Sequence, residues 1–330
     1  MTLAITNPNA VQLESATTFL EERFGGRATA IEPLKNGAWS TAYAYTVDDE
    51  SFVIRFNAHL DDFMRDRLIG KVATPAMQVP RITEIGQAHG MHYAISHRVM
   101  AGFIDDLDPE GIAAALPSLL TALDAARDVT LSGSTGFGGF DAEGNAPYAT
   151  WRDCLLDVAT DPPSPRGHGW RAALERSEPG PAIFDAAFAH FLTLVDALPN
   201  ERHLLHCDLL NYNVLVQGHE LAAMIDWGCG TWGDFVYDIA WIAYCWQYHP
   251  EWAQVDPVAI ARAHYAAIGL DVPDFETRRH AYLIHIGIGD VRYSAYIGKW
   301  HQAAFANRLL ESLITQDRLD PSIQWDPAGA

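Results

Sequence analysis

The sequence predicts an α+β protein of two lobes, a small β-rich one followed by a larger, mainly helical one. Three observations predict it. Short segments with period-two alternation crowd the first third of the chain, and helical periodicity dominates the remainder. One compact stretch of strand-like runs, 203–238, interrupts the helical part and carries several carboxylates. At 330 residues the chain is long enough for two lobes with a cleft between them. The composition change places the boundary between 1–98 and 99–330.

Taken in order, residues 9–24 set Val11, Leu13, Phe19 and Leu20 among Glu14, Glu21, Glu22 and Arg23, an amphipathic helix that Gly25-Gly26 stops. Segments 28–34, 40–47 and 51–56 alternate as antiparallel strands, and Asp48-Asp49-Glu50 turns the last hairpin. The turn 34–40, with Gly37 and Ser40, could cover phosphates with its backbone N–H groups. One glycine is a weak signal, and this loop taken alone is better explained by an ordinary hairpin turn. Residues 59–72 form a charge-rich helix, and strands at 81–86 and 91–98 complete the small lobe. At Met100-Ala101-Gly102-Phe103 the pattern turns helical. Asp108-Pro109-Glu110 is a helix start, with an acidic N-cap and proline in the first turn. Helices are expected at 108–128, 150–159, 182–197, 234–248 and 257–268, then one long stretch at 275–316. The proline-rich segment 161–165 is a surface excursion.

Several function classes fall away. Net charge is −20 with three lysines (Lys35, Lys71, Lys299), so there is no basic stripe for nucleic acid. No apolar run approaches the roughly 20 residues of a membrane span, and the N-terminus lacks the basic start and apolar core of a secretion signal. A cytoplasmic monomer is expected. Cys154, Cys207, Cys229 and Cys245 are isolated and form no CxxC pair. The glycines of 133–139 do not match GxGxxG and read as a structured turn, and no GxSxG element is present. His280 and His285 are five apart, off-face on a helix, and read as core or surface histidines.

The chemistry concentrates in 203–238. Leu204-Leu205 lead into His206-Cys207-Asp208, Asn213 follows five residues later, and the run 221–225 ends at Asp226. An aspartate beside a metal-binding Asn and a second Asp is what phosphoryl transfer requires. One carboxylate orients a hydroxyl and accepts its proton, while the other two side chains hold Mg²⁺ against nucleotide phosphates. Strand-like runs on both sides put these residues at the ends of hairpins. From His203 to Ala261 there is no Lys or Arg, while Asp208, Glu220, Asp226, Asp234, Asp238, Glu251 and Asp256 all fall within it. A cleft lined by one sign of charge focuses its field on ligands of the other, which points to a polycationic substrate.

HCDLLNYNVL followed by MIDWGCGTWGDFVYDIA resembles the aminoglycoside phosphotransferase family within the protein-kinase-like fold. The likeness extends through LKNGAWSTAYAYTV, VIRF, ISHRVMAG and STGFGGFDAEGNAPYATWRDCLLDVATDP, and so covers most of the chain. The resemblance implies that Asp208 is the catalytic carboxylate, that Asn213 and Asp226 are Mg²⁺ ligands, and that His206 braces the catalytic loop. Asp238 is placed to tie down the loop backbone; Asp234 matches a family acid and serves equally well as a helix cap. One departure stands out: where protein kinases carry a phosphate-holding lysine, Val53-Ile54-Arg55-Phe56 offers Arg55. Its implied acidic partner is Asp66, with Asp62 as second choice. Ser96, His97 and Val99 fall in the implied hinge beside the nucleotide base.

The implied activity is transfer of the γ-phosphoryl of ATP or GTP, with Mg²⁺, to a hydroxyl of an aminoglycoside of the hygromycin B type, giving antibiotic resistance. Besides Asp208, the residues chosen by charge and position to meet the substrate's ammonium groups are Glu251, Asp256 and Asp290. Two alternatives stand beside it: a kinase of another small cationic or hydroxylated metabolite such as choline, homoserine or a sugar amine, and a non-catalytic nucleotide-binding homologue.

Overall fold

The computed structural model describes residues 10–35, 37, 39–163 and 166–326. The N-terminal residues 1–9, Asn36 and Ala38 of the first turn, and Ser164 and Pro165 of the proline-rich segment lie outside them. The β-rich lobe comprises α1 (Leu13–Arg23), β1 (Thr29–Pro33), β2 (Ser40–Val47), β3 (Glu50–Asn57), α2 (Leu60–Val72), β4 (Ile82–Ala88) and β5 (Met91–His97). Among the described residues its strands form one antiparallel sheet in the order β1-β2-β3-β5-β4. Asp48 and Asp49 both take positive φ, 49° and 68°, the conformation that matches a two-residue turn to the strand twist. One sheet face buries Tyr43, Tyr45, Ile54, Phe56 and Tyr93 against Leu20 of α1, while Ile82 and Ala94 pack with Phe63 of α2. The alternation read in the sequence is therefore the alternation of two buried surfaces.

The helical lobe holds β6 (Gly102–Phe103), α3 (Pro109–Arg127), β7 (Gly138–Gly139), α4 (Trp151–Leu156), α5 (Trp170–Glu175), α6 (Ala182–Leu192), β8 (His203–Leu205), β9 (Val214–Gln217), β10 (Glu220–Met224), β11 (Thr231–Gly233), α7 (Val236–Cys245), α8 (Pro257–Ala267), α9 (Phe275–Ile297) and α10 (Trp300–Gln316). Asp108 caps α3 as its sequence promised, its Oδ1 accepting from Gly111 N at 2.8 Å. Two small sheets, β10-β9-β6 and β7-β11-β8, are set into the helices and carry the residues of 203–238. Helix α9 is the central post, packed by α5, α6, α7 and α10. It contacts α10 closely because position 287 is glycine: a Cβ there would lie 2.7 Å from Leu310 Cδ2.

Four features differ from the sequence expectation. The stretch 275–316 is two helices, because Gly298 adopts φ 74° and turns the chain at the end of α9. Apolar periodicity continues on both sides of that glycine, so it concealed the break. Helix α5 had no expectation at all, yet Trp170 and Leu174 are fully buried. Met100 to Phe103 is not a helix entry: Gly102 and Phe103 pair with Val216 and Leu215 of β9. Finally, Gly138 and Gly139 of the glycine-rich turn pair with β11. No helix among the described residues is long and apolar enough to cross a membrane.

Candidate active site

The β9–β10 hairpin sets the spacing of the site. Val214 pairs with Met224, and one residue beyond, Ile225 N donates to Asn213 O at 2.9 Å. Asn213 and Asp226 thus emerge side by side at the open end of the hairpin. The Asn213 amide nitrogen donates to the Asp208 backbone oxygen at 2.8 Å and to its carboxylate at 2.9 Å. Only nitrogen can serve these two acceptors, so the amide oxygen is the atom left over for another ligand. Asn211 supplies a second donor to Asp208, at 3.3 Å. Burial, followed by the neighbouring Asp226 charge, pushes the Asp208 carboxyl up to about 8, with Asn211 and Asn213 working against both.

The backbone here is held in conformations that non-glycine residues seldom adopt. Cys207, Leu210, Tyr212 and Asp226 all have φ between 58° and 60°. Such residues cost about 1–3 kcal/mol each and persist where surroundings fix them. The fixing groups are visible. Asp238, at the start of α7, accepts from His206 N at 2.8 Å and Cys207 N at 2.9 Å. His206 donates from Nε2 to Ile225 O at 3.0 Å, linking the loop to the strand before Asp226. Asp105 accepts from Tyr212 N at 3.1 Å, and Trp241 donates to Leu209 O at 2.8 Å. His206 and Asp238 therefore take the bracing positions expected of them.

Across the cleft, Arg55 on β3 ion-pairs with Asp66 on α2, and its other nitrogen lies 4.0 Å from Asp226 Oδ1. The second oxygen of Asp66 accepts from Trp227 N at 2.7 Å. Asp66, not Asp62, is thus the partner of Arg55. Asp62 instead takes Asn57 at 3.0 Å, Arg65 at 3.4 Å and Arg166 at 3.1 Å. Burial raises the Asp226 carboxyl, Arg55 opposes that rise, and Asp66 and Asp62 add to it. Gly37 is exposed on the turn before β2, and Ser40 begins that strand opposite Asn57. Ser96 and His97 close β5, and Val99 follows in the connection to β6.

Lysine in place of Arg55 keeps the charge but loses the planar fork that serves Asp66 and the cleft together. Arg55→Lys is expected to raise KM for the nucleotide by ~10-fold or more, the worth of one charged hydrogen bond at about 1.5–3 kcal/mol. Initial-rate kinetics at varied nucleotide would check it; an unchanged KM would remove Arg55 from the phosphate site.

Two of the acids chosen for substrate contact already accept hydrogen bonds elsewhere. Asp256 is the N-cap of α8, its Oδ1 accepting from Val258 N and Ala259 N, both at 2.9 Å. Asp290 receives the hydroxyls of Tyr244 and Tyr248, Ser294 at 3.2 Å and Gln302 at 2.8 Å, so its lone pairs are filled by α7, α9 and α10. Asp290 thus has no lone pair to spare for a substrate ammonium, and that expectation is corrected, whereas Asp256 is exposed and keeps its second oxygen beside the cap. Glu251 stays exposed, beside His249 at 3.2 Å.

Sequence reading passed over Asp105, Trp39, Arg166 and Tyr296. Trp39, on the turn before β2, stacks on Tyr296 of α9 with centroids 6.2 Å apart and takes the Arg166 guanidinium over its ring at 4.9 Å. No local pattern marks these residues, since each contact joins distant parts of the chain.

A β-rich roof bearing a paired cation, over a loop and hairpin bearing Asp208, Asn213 and Asp226, defines a kinase-like phosphotransferase. The profile of the Phosphotransferase enzyme family matches residues 30–279, and the chain belongs to that family. It is 27% identical over 302 residues to the Hygromycin-B 4-O-kinase of Escherichia coli, covering 91% of this chain and 84% of that one. Its fold is similar to a thermostable mutant of aminoglycoside phosphotransferase APH(4)-Ia solved with AMP-PNP and hygromycin B. The TM-score is 0.78 at 27% identity, over 92% of this chain and 99% of that one. Choline kinase LicA from Streptococcus pneumoniae shares the fold alone, with TM-score 0.61 at 12% identity over 91% and 99% of the two chains.

Proposed function

We propose that the chain transfers the γ-phosphoryl group of ATP or GTP to a hydroxyl of hygromycin B or a related aminoglycoside, and so confers resistance to it. The observation that carries this reading is the Asp208 carboxylate held by Asn211 and Asn213, with Asp226 at the adjoining hairpin mouth facing Arg55. Support for the acceptor class comes from the hygromycin B kinase relatives and from the acidic stretch around Asp208.

The chemistry follows from these positions. Asp208 accepts a hydrogen bond from the acceptor hydroxyl and holds its oxygen in line with the γ-phosphorus. As the new O–P bond forms and the bond to the β–γ bridging oxygen breaks, the hydroxyl proton passes to Asp208 and the nucleoside diphosphate leaves. Arg55, fixed by Asp66, supplies positive charge to the phosphates, and the turn with Gly37 and Ser40 covers them. Ser96, His97 and Val99 offer backbone groups to the base, in a hinge between lobes that we divide at 98/99. Asn213 and Asp226 fit a Mg²⁺ ion: both are hard oxygen donors, only two protein ligands are needed when phosphates and waters supply the rest, and three carboxylates (Asp62, Asp66, Asp226) crowd together there. When bound, the ion neutralises phosphate charge as the transition state spreads it. Glu251 and the second oxygen of Asp256, both exposed, are the remaining candidates for a substrate ammonium. A monomer in the cytoplasm completes the reading.

Mass spectrometry of hygromycin B after incubation with Mg-ATP is expected to show one added phosphoryl group. Phosphorylation of choline, homoserine or a sugar amine instead would transfer the chain to a metabolite kinase. ADP release with none of these acceptors would overturn the proposal.

A further inference from the structure

Far from the catalytic loop, three helices bring together a second set of metal-binding side chains. His190 lies in the last turn of α6, His280 in the first half of α9, and Asp317 at the end of α10. One ligand atom from each lies within 4.8 Å of the others. His280 Nε2 is 3.8 Å from Asp317 Oδ1, and the two imidazoles face each other with centroids 6.0 Å apart and planes at 89°. His280 Nε2 is shielded from solvent and makes no hydrogen bond to any protein group. A buried imidazole nitrogen without a partner is costly, and this one points toward the two other donors.

The geometry leaves an imidazole lone pair available, since His280 Nε2 has no hydrogen-bond partner and lies 3.8 Å from Asp317 Oδ1. A neutral imidazole is the form that ligates metal. The Asp317 side chain is 84% exposed, so its carboxylate can change rotamer without displacing packed neighbours. Ligand atoms about a tetrahedral zinc ion lie about 3.4 Å apart, given bonds of ~2.1 Å. The observed spacing, within 4.8 Å, is wider than this, and the exposed Asp317 is the ligand free to close it.

We propose that His190, His280 and Asp317 form a binding site for a zinc-class divalent cation, with water as the fourth ligand. Two imidazoles select zinc, cobalt, nickel or copper over magnesium, which demands oxygen and octahedral geometry. The site joins α6, α9 and the end of α10, three elements of the helical lobe. The histidine five residues along the same helix, His285, has no part in it: its Nε2 is bonded to Leu155 O at 3.0 Å and its Nδ1 to the Tyr237 hydroxyl at 2.9 Å.

The test is titration of Zn²⁺ into the chelator-treated, tag-free full chain with Mg²⁺ in excess to fill the oxygen-rich site. One equivalent of zinc is expected to bind and to raise Tm. Cobalt in its place is expected to show the visible absorption of a tetrahedral site. His190→Gln and Asp317→Asn, both at or near the surface, are expected to weaken zinc binding at least ~10-fold and to abolish the Tm shift. His280→Gln should do the same, and the two surface variants carry the test if it fails to fold. Absence of binding at millimolar zinc, or binding and Tm shifts equal in wild type and variants, would overturn the proposal.

Discussion

Asp208→Ala is expected to lower kcat by at least ~10³-fold, while Mg-nucleotide binding changes little. In the mechanism proposed above the carboxylate is the group held against the acceptor hydroxyl, and positioning with proton acceptance is worth on the order of 10²–10⁴. Arg55, Asp66 and the turn bearing Gly37 lie across the cleft and do not depend on it. Coupled ADP release measures turnover, and calorimetry with a non-hydrolysable nucleotide measures binding. Asp208→Asn makes the sharper comparison, because it keeps the volume and can still bond Asn213. If either variant retains more than a tenth of wild-type turnover, the catalytic carboxylate lies elsewhere. Loss of nucleotide binding alongside turnover would show that the loop has lost its shape, which its run of positive-φ residues makes a real danger.

The largest stability loss is expected at Arg278. Its guanidinium on α9 ion-pairs with Asp234, which is fully buried, with Nε at 2.9 Å; the same carboxylate takes the Tyr282 hydroxyl at 2.5 Å and Val236 N at 3.1 Å. Arg278→Ala removes the one cation and leaves a buried carboxylate with neutral donors only. Breaking such a pair from one side costs about 3–5 kcal/mol, which corresponds to a fall in Tm of roughly 5–15 °C. Combining Asp234→Asn with Arg278→Met should recover a good part of that, since neither charge is then stranded. Thermal unfolding of the two variants beside wild type checks the idea; equal Tm values for the single and double changes would contradict it. Asp234 thus serves as an ionic anchor between α7 and α9 as much as a helix cap.

How far the sequence could be read depended on the range of the interaction. The small lobe was legible because Tyr43, Tyr45, Ile54 and Phe56 alternate with a period that a two-faced sheet imposes. The grouping of Asp208, Asn213 and Asp226 was legible too, because a single hairpin joins two of them and a five-residue loop the third. Arg55 with Asp66 needed only one strand and the next helix. Asp290 was misjudged, and the capping role of Asp256 missed, because what occupies a carboxylate is decided by folding. Val258 and Ala259 are local to Asp256, and their claim on it could have been inferred from the Asp-Pro helix start. Tyr244, Tyr248 and Gln302 reach Asp290 from two other helices, and no spacing announces them. Trp39 on Tyr296 is the same lesson across the cleft.

Asp66 gives one oxygen to Arg55 and the other to the backbone of Trp227, the residue after Asp226. One anion therefore serves two sides of the cleft. Whatever draws Arg55 toward an incoming phosphate alters the hold on the peptide that carries Asp226, and a charge bound at Asp226 alters the hold on Arg55. Such a linkage is reciprocal by necessity: the factor by which nucleotide changes the affinity for a divalent ion equals the factor by which the ion changes the affinity for nucleotide. Cutting the shared anion would leave the two ligands to sense each other only through their own charges.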